Sequence, residues 1–488
     1  MNQLRFAFAK RFGVLVASTD NNIAKVVYHT TPPATVVAEI RRQLQMPVDL
    51  EQISPEEFNT QLVRSYETDS STAMEMAEDL GESMNLSELM SSLPRAEDLL
   101  DKQDDAPIIR LLNALLSEAI KESASDVHVE TFEDNVIIRF RTDGILHEVL
   151  KPPRILAPLI ISRIKVMARL DIAEKRLPQD GRITLRIGGR AVDVRVSTMP
   201  TNHGERAVLR LLDKQSAHLD LAELGMDPKT LDLFISLIKN PHGIILVTGP
   251  TGSGKTTTLY AGLTLLNDKK RNILTVEDPI EYDLAGIGQT QVNTKIQMTF
   301  AKGLRAILRQ DPDIVMIGEI RDLETAQIAI QSSLTGHLVL STLHTNSAIG
   351  AITRLNDMGV EPFLLASSLS GVLAQRLIRV LCNSCKKPVI ASGRECVFLG
   401  VSEESKTTIY QPVGCAQCKF SGFMGRSGVY ELIEIDEPLR AMIHEGASEQ
   451  SMRNHARSLF PSLRQDGYRR VLLGETSLEE ILRVTSED

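Results

Sequence analysis

The sequence predicts a multi-domain α/β protein organised around a nucleotide-binding parallel sheet, and three observations carry that reading. Strand-like runs rich in β-branched residues alternate with helical segments after Pro228. A glycine-rich loop joins one such strand to the helix that follows it, and two C-x-x-C pairs come after the last buried strand. Short, continuously apolar strands between helices are what a parallel sheet covered on both faces requires. At roughly 150 residues per domain, 488 residues suffice for about three domains.

The elements follow in order. Residues 1–66 contain short strand patterns at Val14–Ala17 and Lys25–Tyr28 and helical residues around Val36–Leu44 and Pro55–Val63, giving a small α+β domain. Residues 67–105 turn acidic (Glu75, Glu78, Asp79, Glu82, Glu97, Asp98, Asp101, Asp104, Asp105) and poor in apolar groups, the composition of a linker or an acidic docking segment. Residues 106–228 read as a mixed α/β domain. Its helices are Ile108–Ile120 and Ile155–Leu170, and its strands Val127–Glu130, Val136–Arg141, Ile145–Val149, Arg182–Ile187, Ala191–Val196 and Ala207–Leu212. Residues 229–380 form the nucleotide-fold segment. There a helix at Leu231–Lys239 precedes buried strands at Gly243–Thr248, Ile273–Glu277, Ile314–Ile317 and Leu338–Thr342. Residues 381–430 carry the cysteine pairs, and residues 431–488 are helical.

Composition excludes several classes. The chain has 54 basic and 63 acidic residues, a net charge of −9, no Trp and only 4% aromatics. Bulk charge therefore draws it to neither nucleic acid nor anionic lipid, and it has little material for base stacking. No apolar run approaches the length of a membrane span, and Lys10 and Arg11 interrupt the apolar N-terminus, so a cytosolic protein is expected. Cysteines grouped for metal binding suit the same reducing compartment.

The strongest motif is Gly249-Pro250-Thr251-Gly252-Ser253-Gly254-Lys255-Thr256, followed by Thr257, which matches G-x-x-x-x-G-K-[ST] between a strand and a helix. Glycines allow backbone N–H groups to converge on phosphate oxygens, and the helix N-terminus adds positive field. Lys255 would reach the β- and γ-phosphates of ATP, and the Thr256 hydroxyl would bind Mg²⁺. Glu277 ends a neighbouring strand in Glu277-Asp278-Pro279-Ile280-Glu281, where it would either orient or deprotonate the attacking water or simply cap the turn. In Asp313–Asp322 Gly318 precedes Glu319, the place where an Asp often stands, so Mg²⁺ coordination rests on Glu319. Arg305 and Arg309, upstream, also read as surface salt-bridge formers. His337 and His344 flank one buried strand, and His337 is the candidate γ-phosphate sensor, with a structural histidine as the other reading. Cys382, Cys385, Cys415 and Cys418 form C-x₂-C…C-x₂-C, a closed four-thiolate signature for structural Zn²⁺, with Cys396 a spectator between the pairs.

Together these motifs resemble the secretion ATPases that power type II secretion and type IV pili, over nearly all of the chain after Asp105. Ser125-Asp126-Val127-His128-Val129-Glu130, Asp180-Gly181-Arg182, the Gly318 variant and the tail from Leu463 to Arg483 carry the resemblance further. The cysteine pairs point to assembly-type members, and the short first domain before an acidic linker looks most like the type II secretion branch, the GspE family. The resemblance implies a RecA-like ATPase core, a PAS-like second domain and a homo-hexamer on the cytoplasmic face of the bacterial inner membrane. It implies docking through residues 1–90 onto the cytoplasmic domain of a bitopic inner-membrane protein, and work against a polytopic platform protein to drive pseudopilin assembly. It also assigns Arg195 and Arg210 to nucleotide phosphate when the second domain closes. On sequence alone both are equally surface arginines on alternating strands. Pilus extension, a nucleic-acid motor and a non-hydrolysing scaffold remain the alternatives.

Overall fold

The computed structural model describes residues 12–20, 23–29, 31–44, 46–54, 58, 106–187, 190–213 and 220–485. The expected linker at 67–105 and nearly all of the helix expected at Pro55–Val63 lie outside them. The chain divides into two compact units, residues 1–216 and 217–488. Among the described residues no helix is long and apolar enough to cross a membrane.

In the first unit, β1 (Val14–Asp20) pairs antiparallel with β2 (Ile23–Tyr28). After α1 (Ala34–Leu44), β3 (Val48–Gln52) lies parallel to β2. Ala24 and Val26 of β2 meet Val36, Ile40 and Leu44 of α1 in a small core, the i, i+4, i+8 stripe of an amphipathic helix. β3 (VDLEQ) has too few apolar residues to signal a strand. Its backbone pairing and the Lys25–Glu51 ion pair at 2.6 Å attach it to β2.

Residues 106–213 supply α2 (Ala106–Lys121), β4 (Asp126–Thr131), β5 (Val136–Thr142), β6 (Ile145–Leu150), α3 (Ala157–Met167), β7 (Gln179–Ile187), β8 (Arg190–Thr201) and β9 (Gly204–Asp213). The six strands form one antiparallel sheet, ordered β6-β5-β4-β9-β8-β7. Leu111, Leu112, Leu115 and Leu116 of α2 and Ile160 and Ile164 of α3 share a core with Val127, Val129, Val192, Val194 and Val196. Because successive side chains alternate faces, Asp126, His128, Glu130, Asp193 and Arg195 fall on the opposite face of the sheet.

The second unit begins with α4 (Pro228–Ile238), capped by the Asp227 carboxylate, and then β10 (Gly243–Thr248) and α5 (Lys255–Leu266). Next come β11 (Ile273–Glu277), β12 (Gly288–Gln291), α6 (Phe300–Ile307), β13 (Ile314–Ile317), α7 (Leu323–Leu334) and β14 (Leu338–Leu343). After α8 (Ala348–Asp357) and α9 (Pro362–Ser368), β15 (Leu369–Leu381) leads to β16 (Lys387–Ile390), α10 (Gly393–Leu399), β17 (Thr408–Gln411) and β18 (Phe423–Glu434). Helices α11 (Glu437–His444), α12 (Glu449–Leu459), α13 (Leu463–Leu472) and α14 (Leu478–Val484) finish the chain. The main sheet runs β12-β11-β13-β14-β10-β15-β18, parallel except for β18. Every residue of β10, β13 and β14 is buried, as both-face coverage demands. The sheet continues past residue 380, so the cysteine segment is an excursion between its strands β15 and β18, which pair from Gly371–Glu434 to Leu381–Phe423.

Candidate active site and metal centre

The parallel strands fix where chemistry can occur, because their C-terminal ends open on one crevice. The loop leaving β10 turns through Gly249, Gly252 and Gly254, all at positive φ (148°, 80° and 87°). A Cβ on Gly249 would stand 2.5 Å from the Gln375 carbonyl oxygen, so side chains there are excluded by contact as well as by conformation. Gly254 caps α5, and Lys255, Thr256 and Thr257 form its first turn. Pro250 and Thr251 lie exposed on the loop's outer side, while Ser253 is buried with an Oγ that has no hydrogen-bond partner. That orphan polar atom beside glycine-freed N–H groups and a helix N-terminus fits a phosphate oxygen. The Lys255 ammonium donates to the Gly249 and Pro250 carbonyls at 2.8 and 3.2 Å, and burial pulls its pKa down to about 8.

Glu319, just beyond β13, is the anion acting on Lys255. Its oxygens pair with Arg321 and, at 3.4 Å, with His344 Nε2; His344 Nδ1 lies 3.5 Å from Lys255 Nζ. Burial, then the nearby Lys255 charge, lower the His344 pKa. Thr256 and Glu319 are hard oxygen donors, the set that suits Mg²⁺.

One expectation needs correction. His337 stands at the wrong end of β14: the Gly243 N–H, at the start of β10, donates to its carbonyl at 3.2 Å, and its ring bonds Ser332 and Thr335. The register Gly243↔Leu338 to Thr248↔Leu343 separates it from the phosphate loop by a strand length, roughly 20 Å. His344, following the strand, occupies the position expected of His337. Glu277 is buried, and both its oxygens already accept hydrogen bonds. Tyr260 donates to Oε2, and Thr275 and Gln289 donate to Oε1 at 2.5 and 3.1 Å. Glu319 is the carboxylate whose charge acts on Lys255; Glu277 is held at the end of β11 by these three donors.

Gln375 and Arg376 went unnoticed in the sequence. Gln375 ties the loop to its helix, donating to Ser253 O at 2.5 Å and accepting from Thr258 Oγ1 at 2.9 Å. The Arg376 guanidinium, buried, bonds Asn346 and bears on Lys255. A Gln-Arg pair inside the apolar run Leu369–Leu381 was the available signal. Arg305, by contrast, makes an exposed pair with Glu324 at 2.7 Å.

Arg195 and Arg210 belong to the other unit. They sit directly opposite each other in a rung that crosses the sheet as Arg182, Arg195, Arg210, Asp126, Arg141. The Arg210 Nε donates to Asp126 at 2.9 Å, and Arg182 pairs with Asp193 at 2.5 Å.

Cys382, Cys385, Cys415 and Cys418 converge with their sulfurs within 4.8 Å of one another. Backbone N–H groups of Gly414, Cys415 and Gly422 donate to Sγ of Cys385, Cys418 and Cys418 at 3.3, 3.1 and 3.3 Å. Burial raises the Cys418 pKa, but those donors and the neighbouring thiols outweigh it and bring it down to about 6. Four sulfurs gathered around one point, with no open position, fit tetrahedral Zn²⁺. Cys396 lies apart on α10, bonded to Ala391 O.

The model of the type II/IV secretion system protein family matches residues 101–483, and that of an amino-terminal domain of GSPII protein E matches residues 3–66. Type II secretion system protein E of Pseudomonas aeruginosa is 59% identical over 486 residues, which cover 100% of this chain and 97% of that protein. Type II secretion system ATPase E of Vibrio cholerae is 57% identical over 489 residues, with 100% and 97% covered. Among solved structures, the pilus retraction motor PilT with bound ADP aligns with a TM-score of 0.53 at 27% identity, over 77% of this chain and 96% of its own. Fold, phosphate loop and relatives agree: the chain belongs to the type II secretion system protein E family of secretion ATPases.

Proposed function

We propose that this ATPase works as a cytoplasmic homo-hexamer at the inner face of the bacterial inner membrane, driving pseudopilus assembly. Residues 1–90 would dock onto the cytoplasmic domain of a bitopic secretion protein, and the motor would act on a polytopic platform protein. The match of the GSPII protein E amino-terminal domain over residues 3–66 supports a dedicated docking module, and the full-length likeness to type II secretion ATPases favours secretion over pilus extension.

The observation that carries the chemistry is the loop from Gly249 to Thr257 with Lys255, Glu319 and His344 gathered at its mouth. Backbone N–H groups and Lys255 bind the phosphates, and Ser253 Oγ donates to one of their oxygens. Thr256 and Glu319 would hold Mg²⁺, which when bound neutralises charge on the transferring phosphoryl group. Glu319 orients the attacking water, and His344 reads the γ-phosphate. Arg195 and Arg210 close over the phosphates. Their rung places four guanidiniums beside Asp126, with Asp193 alongside, a surplus of positive charge suited to an anion. The four cysteines would hold Zn²⁺ as a structural clasp at the end of the β15–β18 ladder.

Lys255→Ala tests the assignment. ATP turnover of the full chain should fall at least about 1000-fold while its melting temperature stays unchanged. Undiminished phosphate release in the variant would refute it.

A further inference from the structure

Near its start the second unit has a 3₁₀ turn, Leu221–Leu224, capped by the Asp220 carboxylate and closed by Gly225 at φ 89°. Two residues from far down the chain take the carbonyls at its end. The Tyr430 hydroxyl, on β18, donates to Leu224 O at 3.0 Å. Arg470, on α13, donates to Gly225 O and, at 2.9 Å, to Gly428 O. A Cβ on Gly428 would strike the Tyr430 ring, so glycine there lets the ring lie across the strand and reach the turn. Burial pushes the Tyr430 pKa up, which keeps its phenol a donor.

From Tyr430 the contacts continue to the phosphate loop. Tyr430 stands directly opposite Gln375 in the β15–β18 ladder, and opposed residues share one face of a sheet. Gln375 donates to Ser253 O at 2.5 Å and accepts from Thr258 Oγ1 at 2.9 Å. Thr258, on α5, also bears on the Tyr430 hydroxyl, and Leu221 of the turn shares a core with Leu259 and Tyr260 of the same helix. Tyr430, Gln375, Thr258 and Arg470 are all buried. A hydrogen-bonded path out of water fixes the groups it joins. The chain arrives at the turn from the first unit, which carries Arg195 and Arg210.

We propose that Tyr430, with Arg470, is a positioning residue that ties the turn at 221–225 to the phosphate loop through Gln375 and Thr258, so that nucleotide at the loop holds the turn and a shift of the turn reaches Ser253. This rests on the reading of residues 249–257 as the ATP site. It adds a route inside the second unit by which the segment arriving from the arginine-bearing unit senses and sets the state of the loop. Such coupling is reciprocal, so either end can report it.

The test measures amide hydrogen exchange over residues 220–227 of the full chain, with and without a non-hydrolysable ATP analogue, in the unmodified protein, Tyr430→Phe and Thr258→Val. In the unmodified protein the analogue should slow exchange there at least about threefold. Both variants should bind the analogue within about threefold of the original affinity, since neither loses a phosphate ligand. In both, the slowing should shrink below about 1.5-fold and kcat should fall about 3–10-fold, the weight of one hydrogen bond. Two results would overturn the proposal: exchange over 220–227 that ignores bound analogue in the unmodified protein, or a response that survives in Tyr430→Phe. If Tyr430→Phe lowers the melting temperature, Thr258→Val, which cuts the path at the loop end, decides alone. An unmodified chain that binds no analogue would refute the phosphate-loop reading itself, and this proposal with it.

Discussion

Arginines in the two units keep different company, and the difference separates structure from function. In the second unit the clusters around Glu480 and Glu475 are matched. Glu480, with its side chain fully buried, takes Arg379 and Arg483 at 2.7 Å each, and Arg470 pairs with Glu475 while donating to Gly428 O at 2.9 Å. In the first unit four guanidiniums share a rung with Asp126, and Asp193 stands alongside, on a half-exposed sheet face. Like charges directly opposite on a sheet are unfavourable. The matched clusters stabilise a fold; the arginine-rich rung fits the role proposed for Arg195 and Arg210.

The matched side of that comparison is open to attack by acid. Burial raises the Glu480 pKa, but hydrogen bonds from Arg483 and Arg379 more than offset it and hold the group at about 2, below its ordinary value of 4.5. A depressed carboxylate contributes stability that is complete above pH 4.5 and is lost as the pH falls toward 2, here about 3 kcal/mol. Chemical denaturation of the chain and of Glu480→Gln should therefore show a gap of that order at pH 7 that narrows below about pH 4 and closes toward pH 2. A gap independent of pH would show that the pair is not charge-matched in the way described.

A smaller effect is expected at the cysteine excursion between β15 and β18. Cys415→Ser should release bound zinc, measured as metal per chain, and lower the melting temperature by several degrees, about 4 °C per kcal/mol or less in a unit of this size. Full retention of zinc would contradict the four-sulfur site.

Much of this was legible in the sequence, and the gaps have physical causes. The phosphate loop announced itself because its strand, glycines and helix are contiguous, and the alternation of β4, β8 and β9 is plain in residues 126–131, 190–201 and 204–213. The choice between His337 and His344 was also available: parallel strands share one C-terminal edge, so only the residue after β14 can reach the loop leaving β10. The locked state of Glu277 was not, because Tyr260, Thr275 and Gln289 come from a helix, a strand and an edge strand that composition does not mark. β12, with the sequence GQTQ, has no apolar alternation and exists through its backbone pairing with β11.

The arginine-rich side gives the most direct test. Arg195→Ala combined with Arg210→Ala should leave the affinity for a non-hydrolysable ATP analogue within about threefold of the original, since the loop binds the phosphates. Turnover should fall at least about 100-fold, because the charge that completes the transition state is gone. Both quantities can be measured on one full-length preparation. Undiminished turnover, or affinity falling in step with it, would contradict the division of labour between a loop that binds and a rung that completes the site.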